Sequence, residues 1–159
     1  MKIYVASSWR NPYYDDVRTE LTVSQGAEVY DFKNDETAFS WGDVHSSLGP
    51  TVPIEFVQGA TQHPLAKRGY DADMRALTLA DVVVLVLPAG RSAHFEAGWG
   101  AAAGKPLLIY APKGTPVEIE LVYRAGLICT SLKDLLSIVE MIRQGKYEDS
   151  DEPGEQGRA

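Results

Sequence analysis

Hydrophobic and polar positions follow two alternating patterns along this chain. Apolar runs rich in β-branched residues, each typical of a strand, occur at residues 2–6, 27–32, 81–88, 106–112 and 126–131. The run DVVVLVLP at 81–88 is apolar on both faces, which is typical of a central strand. Helical patterns separate the runs, and strands that alternate with helices predict parallel βαβ units. We therefore expect an α/β protein with a single-domain, doubly wound, flavodoxin-like or Rossmann-like sheet of about five mostly parallel strands.

Two predicted helices have clear boundaries. Residues 12–24 are expected to form the first, with Asn11 as its cap and Gly26 as its stop. Ser131 is expected to cap the second, which is amphipathic. The buried stripe of this helix is expected to carry Leu135, Ile138, Val139 and Ile142.

Two segments depart from the alternation of strands and helices. Residues 33–68 are rich in Gly, Pro, Ser and His, which predicts a long loop inserted in a domain that spans residues 1–144. Loops of this length are usually functional, and the aromatic residues Phe39, Trp41 and Phe56 favour a lid or substrate wall, with a partner-binding flap as the alternative. Residues 145–159 are polar and acidic, which predicts a disordered tail.

Size and charge narrow the class of protein. With 159 residues, 45% of them hydrophobic, the chain is long enough for one globular domain with its own core. A net charge of −7 argues against a protein that binds polymeric nucleic acid. A few local cations would still suffice to bind a nucleotide.

Cysteine content and hydropathy indicate where in the cell the protein is expected. The single cysteine, Cys129, lies in an apolar run and predicts a buried structural thiol in a reducing environment. The N-terminal MKIYVASSW is too short an apolar run for a signal peptide, and no segment approaches membrane-spanning length. We therefore expect a soluble, cytoplasmic protein without a membrane partner.

Polar side chains follow two of the predicted strands at the end where such sheets bind ligands. Ser7, Trp9 and Arg10 follow the first strand, and Arg91 and Ser92 follow the third. A tryptophan stacks on bases, an arginine binds phosphate or carboxylate, and a helix N-terminus favours anions. The alternative for each arginine is a solvated surface charge. The five residues together predict a substrate-binding site.

Glu96 is the acid of the segment PAGRSAHFEAGWGAAAGKP. With Ser92 as the expected N-cap, Glu96 is the fourth residue of the next helix. Gly98 and Gly100 each cost about 1 kcal/mol of helix propensity, which a chain accepts where its backbone must approach another element closely. We expect this helix to lie tight against the sheet, with Glu96 near the strand tips. The alternative is a first-turn acid that the helix dipole favours.

A second acid comes from the preceding helical segment. Asp81 begins the central strand and lies at the opposite end from the site, whereas Asp71 and Asp73 lie near the start of the helix before it. Asp71 suits a cap, and Asp73 is expected on the same edge as Glu96. Two carboxylates in one cleft offer a nucleophile and a proton donor, as in the cleavage of glycosidic bonds. His94 is a candidate to orient Glu96, with a surface histidine as the alternative.

Motifs of several common enzyme classes are missing from the sequence. It has no P-loop, no dinucleotide fingerprint after the first strand, and no nucleophile elbow. No histidines show the spacing of paired metal ligands. We therefore expect neither a cofactor nor a metal.

Three segments carry a resemblance to a known family. KIYVASSW, DADMRALTLADVVVLVLP and GRSAHFEAGWGAAAGKP resemble the nucleoside 2-deoxyribosyltransferase family, which includes related nucleoside 5′-monophosphate N-glycosidases. The resemblance implies a flavodoxin-like fold and a homodimer or larger homo-oligomer. It implies Glu96 as the nucleophile on the anomeric carbon, Asp73 as the acid that helps to protonate the departing base, and Tyr4 as the residue that positions Glu96. Trp9 matches a position that contacts substrate.

Two positions depart from the family pattern. Gly90 stands where members carry an acid or serine that contacts sugar or phosphate, and Arg91 and Ser92 are the candidates to replace that contact. Glu118 stands where transferases place an amide that acts across a dimer interface. The expected function is cleavage of the N-glycosidic bond of a nucleoside or nucleotide, with transfer of the (deoxy)ribosyl group to another base or to water. The alternative is a non-catalytic nucleotide-binding or sensing module that uses the same cleft.

Overall fold

One parallel sheet organises the protein. The structure, a computed structural model, describes residues 1–33, 36, 38–44 and 51–147. The strands within these residues are β1 (Lys2–Ala6), β2 (Glu28–Tyr30), β3 (Val82–Val86), β4 (Leu107–Tyr110) and β5 (Leu127–Cys129). Their order in the sheet is β2-β1-β3-β4-β5, and every pairing is parallel. The predicted α/β doubly wound fold class is confirmed.

Helices cover both faces of this sheet. The helices of the described residues are α1 (Tyr14–Val23), α2 (Trp41–Val44), α3 (Ile54–Ala60), α4 (Pro64–Leu79), α5 (Arg91–Ala102) and α6 (Leu132–Arg143), with a 3₁₀ turn at Leu121–Ala125. Apolar side chains of α1 and α6 share one core cluster, and those of α4 and α5 share the other. No helix in the described part of the chain is both long and apolar enough to cross a membrane.

The central strand β3 explains why helices are needed on both faces. Its five residues are all buried. Because side chains alternate along a strand, Val82, Val84 and Val86 enter the cluster beneath α1 and α6. Val83 and Leu85 enter the cluster beneath α4 and α5. A strand that is apolar on both faces is stable only when helices cover both faces, and the sequence pattern predicted this central position for β3.

Asn11 has a different role from the predicted helix cap. Helix α1 begins at Tyr14, and Asn11 lies before it, almost fully buried. Its side-chain amide donates hydrogen bonds to the carbonyl oxygens of Val86 and Pro88, both at 2.9 Å. Its Oδ1 accepts a bond from the backbone N–H of Tyr13 at 2.7 Å. Asn11 therefore ties the loop after β1 to the end of β3, which a local sequence pattern cannot show.

The cap predicted for the last helix is present. The Ser131 hydroxyl accepts a hydrogen bond from the backbone N–H of Asp134 at 3.1 Å, and α6 starts at the next residue, Leu132. Within the predicted stripe, Leu135 and Val139 are fully buried. Two further members of the stripe pack partly buried against the same cluster, namely Ile138 and Ile142.

The segment 33–68 is more helical than the predicted loop. It contains α3, and α4 begins inside it at Pro64. A proline at the first helical position is favourable, and the His63 ring caps the helix by accepting a bond from the backbone N–H of Leu65 at 3.2 Å. The loop was predicted from the composition of the segment, whereas Pro64 starts a helix. The predicted tail lies outside the described residues from position 148 onward.

Candidate active site

Helix α5 carries Glu96 to the carboxyl edge of the sheet. Its N-cap is Gly90 and its first residue is Arg91, so Glu96 lies in the second turn. The prediction that Ser92 caps this helix is therefore wrong. The interaction of a charge with the helix dipole falls off beyond the first turn, so the dipole explains little of why an acid stands at this position.

Gly100 brings α5 close to the central strand. A Cβ atom built on Gly100 would lie 2.6 Å from Cγ2 of Val83, so that even alanine would clash there. This is the close approach that the glycines of the segment predicted. Gly98 does not share the role, because a Cβ there would meet only Val122, at an ordinary 3.8 Å.

Helix α4 carries the second acid. Asp73 lies in the second half of this helix, rather than near its start as predicted, because α4 begins as early as Pro64. The hydroxyl group of Tyr30 donates a hydrogen bond to Oδ1 of Asp73 at 3.0 Å. Asp71, the other candidate, is exposed.

Two tyrosines on neighbouring strands hold the two acids. Tyr4 of β1 and Tyr30 of β2 are partners in the strand register, and their rings stack at a centroid distance of 5.6 Å. The Tyr4 hydroxyl donates to the carboxylate of Glu96, and the Tyr30 hydroxyl donates to Asp73. Each carboxyl group therefore has its own phenolic donor, and both donors come from one stacked pair.

The pKa of Glu96 is shifted by its surroundings. Burial raises it most, the negative charge of Asp73 adds to the rise, and the hydrogen bond from Tyr4 opposes both, so that the pKa is about 8. Burial and the nearby Glu96 also raise the pKa of Tyr4, which keeps its hydroxyl protonated as a donor. At neutral pH the protonated form of Glu96 therefore predominates.

A cavity of about 930 Å³ opens above these groups. All but one of the predicted site residues line it, namely Tyr4, Ser7, Trp9, Asp73, Gly90, Arg91, Ser92 and Glu96. The exception is Arg10, which is exposed and lies outside the lining that the described residues define. The volume is in the range typical of sites for small organic ligands.

Further residues of the lining were missed in the sequence. Lys67 and Tyr70 precede Asp73 on α4 at successive intervals of three residues, which places all three on one side of the helix. That spacing was the signal that could have found them. Phe32 also lines the cavity and packs edge-on against Trp9, with ring centroids 5.4 Å apart.

Phe39 and Trp41 complete an aromatic wall of the cavity. Their rings meet edge to face at 5.1 Å, and both line the cavity. Phe39 is seated on α4 at Gly69, where a Cβ atom would lie 2.7 Å from Cβ of Phe39. The site thus combines a floor of acids with an aromatic wall on which a flat base can stack.

The cavity also offers groups that favour anions. The first turn of α5 lines it, and the backbone N–H groups of a first turn have no partners within the helix. Arg91 adds a cation at this helix start, and Lys67 adds a second on α4. Such an arrangement suits a phosphate group.

Two other candidate residues lie elsewhere. The His94 ring bonds to the carbonyl oxygen of Gly90 at 2.8 Å and to the hydroxyl of Tyr123 at 3.0 Å. It is absent from the cavity lining of the described residues, so a role in orienting Glu96 is not supported. Cys129 is buried, which raises the pKa of its thiol to about 11, as befits a structural cysteine.

The similarity of this chain to known proteins lies in structure. No family model and no curated protein matches it. A 2-deoxyribosyltransferase from Bacillus psychrosaccharolyticus shares 18% identity over 85% of this chain and 90% of its own, with a TM-score of 0.50. A conserved protein from Enterococcus faecalis V583 shares 13% identity over 89% of this chain and 98% of its own, with a TM-score of 0.62. The CMP N-glycosidase BcmB from Clostridium botulinum shares 14% identity over 89% and 99%, with a TM-score of 0.46.

At sequence identities this low, the structural similarity shows a common fold. The coverage is 85% of this chain in one comparison and 89% in another, so the similarity extends well beyond a single motif. The resemblance to the nucleoside 2-deoxyribosyltransferase family that three sequence segments carry is therefore confirmed at the level of the fold.

Proposed function

We propose that this protein cleaves the N-glycosidic bond of a nucleoside or nucleotide, with Glu96 as the nucleophile. The observation that carries the proposal is the meeting of Glu96 and Asp73 in one cavity, each held by a tyrosine hydroxyl. The fold shared with a solved 2-deoxyribosyltransferase supports it. The (deoxy)ribosyl group passes to another base or to water.

In the first step, a carboxylate oxygen of Glu96 forms a bond to C1′ while the bond from C1′ to the base breaks. The bonding electrons leave with the base, which takes up a proton from Asp73. Glu96 holds a proton at neutral pH, and the positive charge that develops at C1′ favours its ionised form. The proton therefore moves from Glu96 to Asp73 and onto the base. The products are free base and a glycosyl ester of Glu96.

In the second step, the ester is broken by an acceptor. Asp73, now ionised, takes a proton from water or from a second base as that acceptor attacks C1′. Glu96 leaves as a carboxylate, and the site returns to its starting charge. Two displacements replace one difficult step and retain the configuration of the sugar.

The cations of the cavity support a 5′-monophosphate as the preferred substrate. Replacing Arg91 with alanine is expected to raise the KM for a monophosphate by about 10- to 100-fold, because a charge-assisted hydrogen bond contributes about 1.5–3 kcal/mol. Turnover of the uncharged nucleoside is expected to change little. Arg10, exposed and outside the lining, is the matched control. Equal losses for both substrates in Arg91→Ala would contradict the phosphate assignment.

A chromatographic panel tests the function itself. Nucleosides and 5′-monophosphates are incubated with the protein, with and without an acceptor base. Free base from monophosphates alone would indicate hydrolysis, and a new nucleoside that requires the acceptor would indicate transfer. No product from any substrate, with Glu96→Ala indistinguishable from wild type, would contradict the proposal and favour a nucleotide-binding module.

We also propose that the protein is a homodimer or larger homo-oligomer. Two apolar side chains are almost fully exposed here: Ile119, just before the 3₁₀ turn, at 97%, and Leu121, the first residue of that turn, at 91%. Exposed apolar residues grouped in this way usually mark an interaction surface. Sedimentation equilibrium of the wild-type protein is expected to give at least twice the chain mass, and a monomer at micromolar concentration would contradict the proposal.

A further inference from the structure

Tyr30 contacts the general acid from outside the cavity. It is absent from the lining of the 930 Å³ cavity that the described residues form, and it lines instead a separate groove of about 720 Å³ beside strand β2. Its hydroxyl nevertheless reaches Oδ1 of Asp73 at 3.0 Å. Asp73 faces the cavity, so the two groups meet across the cavity wall.

The tyrosine ring is held rigidly for this contact. Tyr30 is the register partner of Tyr4, and the two rings stack with an angle of 16° between their planes. Tyr4 in turn binds Glu96. The distance between neighbouring strands therefore fixes the positions of both hydroxyl groups, and through them the relative positions of the two acids.

An aspartate in the middle of a helix needs such a contact to present its proton in one direction. The torsion that rotates a carboxyl group about its Cβ–Cγ bond is broad and shows no sharp rotamers. A hydrogen bond to one oxygen removes that freedom and decides how the carboxyl group is turned. Orientation of this kind matters because the efficiency of a general acid depends on its reach to the leaving atom.

We propose that Tyr30 is a positioning residue for proton transfer: it holds the carboxyl group of Asp73 turned toward the departing base. The proposal rests on the proposed function. It predicts that the Tyr30 hydroxyl matters only when the leaving group needs a proton. A merely structural tyrosine would affect all substrates alike.

Tyr30→Phe removes the hydroxyl and keeps the ring, so the stacking on Tyr4 is preserved. The matched control is Tyr14→Phe. The Tyr14 hydroxyl also donates to a carboxylate, Oδ1 of Asp31, at 2.9 Å, and neither residue lines the cavity. Both variants thus lose one hydroxyl–carboxylate hydrogen bond.

The experiment compares two leaving groups. One substrate is the nucleoside or monophosphate that the wild type cleaves, and the other carries 4-nitrophenolate, which departs as a stable anion, on the same sugar. We expect Tyr30→Phe to lower kcat on the natural base by about tenfold, with KM unchanged, and to leave 4-nitrophenolate release within about twofold of wild type. Tyr14→Phe is expected to match wild type on both.

A double-mutant cycle gives a second, independent measurement. If Tyr30 acts through Asp73, then Tyr30→Phe in an Asp73→Asn background is expected to slow base release no further. Additive losses, or equal losses on both leaving groups, would overturn the positioning role while base release by the wild type still upheld the function. Absence of base release by the wild type would overturn the function and the positioning role together.

Discussion

Replacing Glu96 with glutamine is expected to lower base release by about four orders of magnitude or more, because removal of a nucleophile eliminates the covalent step. Glutamine has nearly the same shape and its amide oxygen can still accept the hydrogen bond from Tyr4. The measurement is single-turnover base release together with a search by mass spectrometry for the glycosyl ester. Base release at the wild-type rate would contradict the assignment of Glu96 as the nucleophile.

The same substitution is expected to stabilise the protein at alkaline pH. Glu96 has a pKa of about 8 in the folded protein against 4.5 for a glutamate in water, so the folded state binds more protons between these values. The stability tied to this proton is complete below about pH 4.5 and is lost as the pH rises through about 8. Glutamine avoids the loss, and we expect an advantage of up to roughly 5 kcal/mol near pH 9 that falls below about 1 kcal/mol near pH 5.

Thermal unfolding at the two pH values measures this difference. Glu55→Gln is the matched control, because Glu55 is exposed on α3 and outside the cavity lining. Its Tm is expected to follow that of the wild type at both pH values. An equal gap between Glu96→Gln and wild type at both pH values would contradict a buried, protonated Glu96.

Replacing Asp73 with asparagine is expected to lower kcat by about 10²- to 10³-fold and to change the pH profile. In the wild type the pair must hold one proton for the reaction, so activity is expected to fall above about pH 8. Without the charge of Asp73 the pKa of Glu96 decreases, and activity then depends on ionised Glu96 alone. The alkaline fall is therefore expected to disappear, and the remaining activity rises with pH.

The pH dependence of kcat/KM between about pH 5 and pH 10 measures this change. Asp71→Asn is the matched variant, since Asp71 lies on the same helix and also lines the cavity. In this variant kcat/KM is expected to fall above about pH 8 as in the wild type, because Asp71 is not among the groups that shift the pKa of Glu96. An alkaline fall that persists in Asp73→Asn would show that another group holds the proton.

The sequence by itself determined the order of the elements and the place of the site. The apolar run around Val84 could only be a strand covered on both faces, and that fixed the fold class. Residues that directly follow such strands meet at one edge of a parallel sheet, so Ser7 and Arg91 could be placed there without coordinates. Gly100 predicted a close approach because glycine is costly in a helix.

Predictions from neighbouring residues in the sequence were wrong where the role of a residue depends on contacts that are distant in the chain. Asn11 is a residue type that often caps helices, yet its side-chain amide donates a hydrogen bond to the carbonyl oxygen of Val86 at the end of β3, more than 70 positions away. The segment 33–68 has the composition of a loop, yet Pro64 begins the helix that carries Asp73. Arg10 follows the end of β1, yet it is exposed and lies outside the cavity lining of the described residues, since a residue at a strand end can turn to either side.

Only the tertiary structure decided how the two acids are held relative to each other. Hydrophobic periodicity does not predict the order of the strands in the sheet. Tyr30 lies beside Tyr4 because β2 pairs with β1. The contact from Tyr30 to Asp73 spans 43 positions and exists only because β2 and α4 meet at the edge of the sheet. The raised pKa of Glu96 likewise depends on burial and on a neighbouring charge, which are properties of the packed molecule and not of the chain.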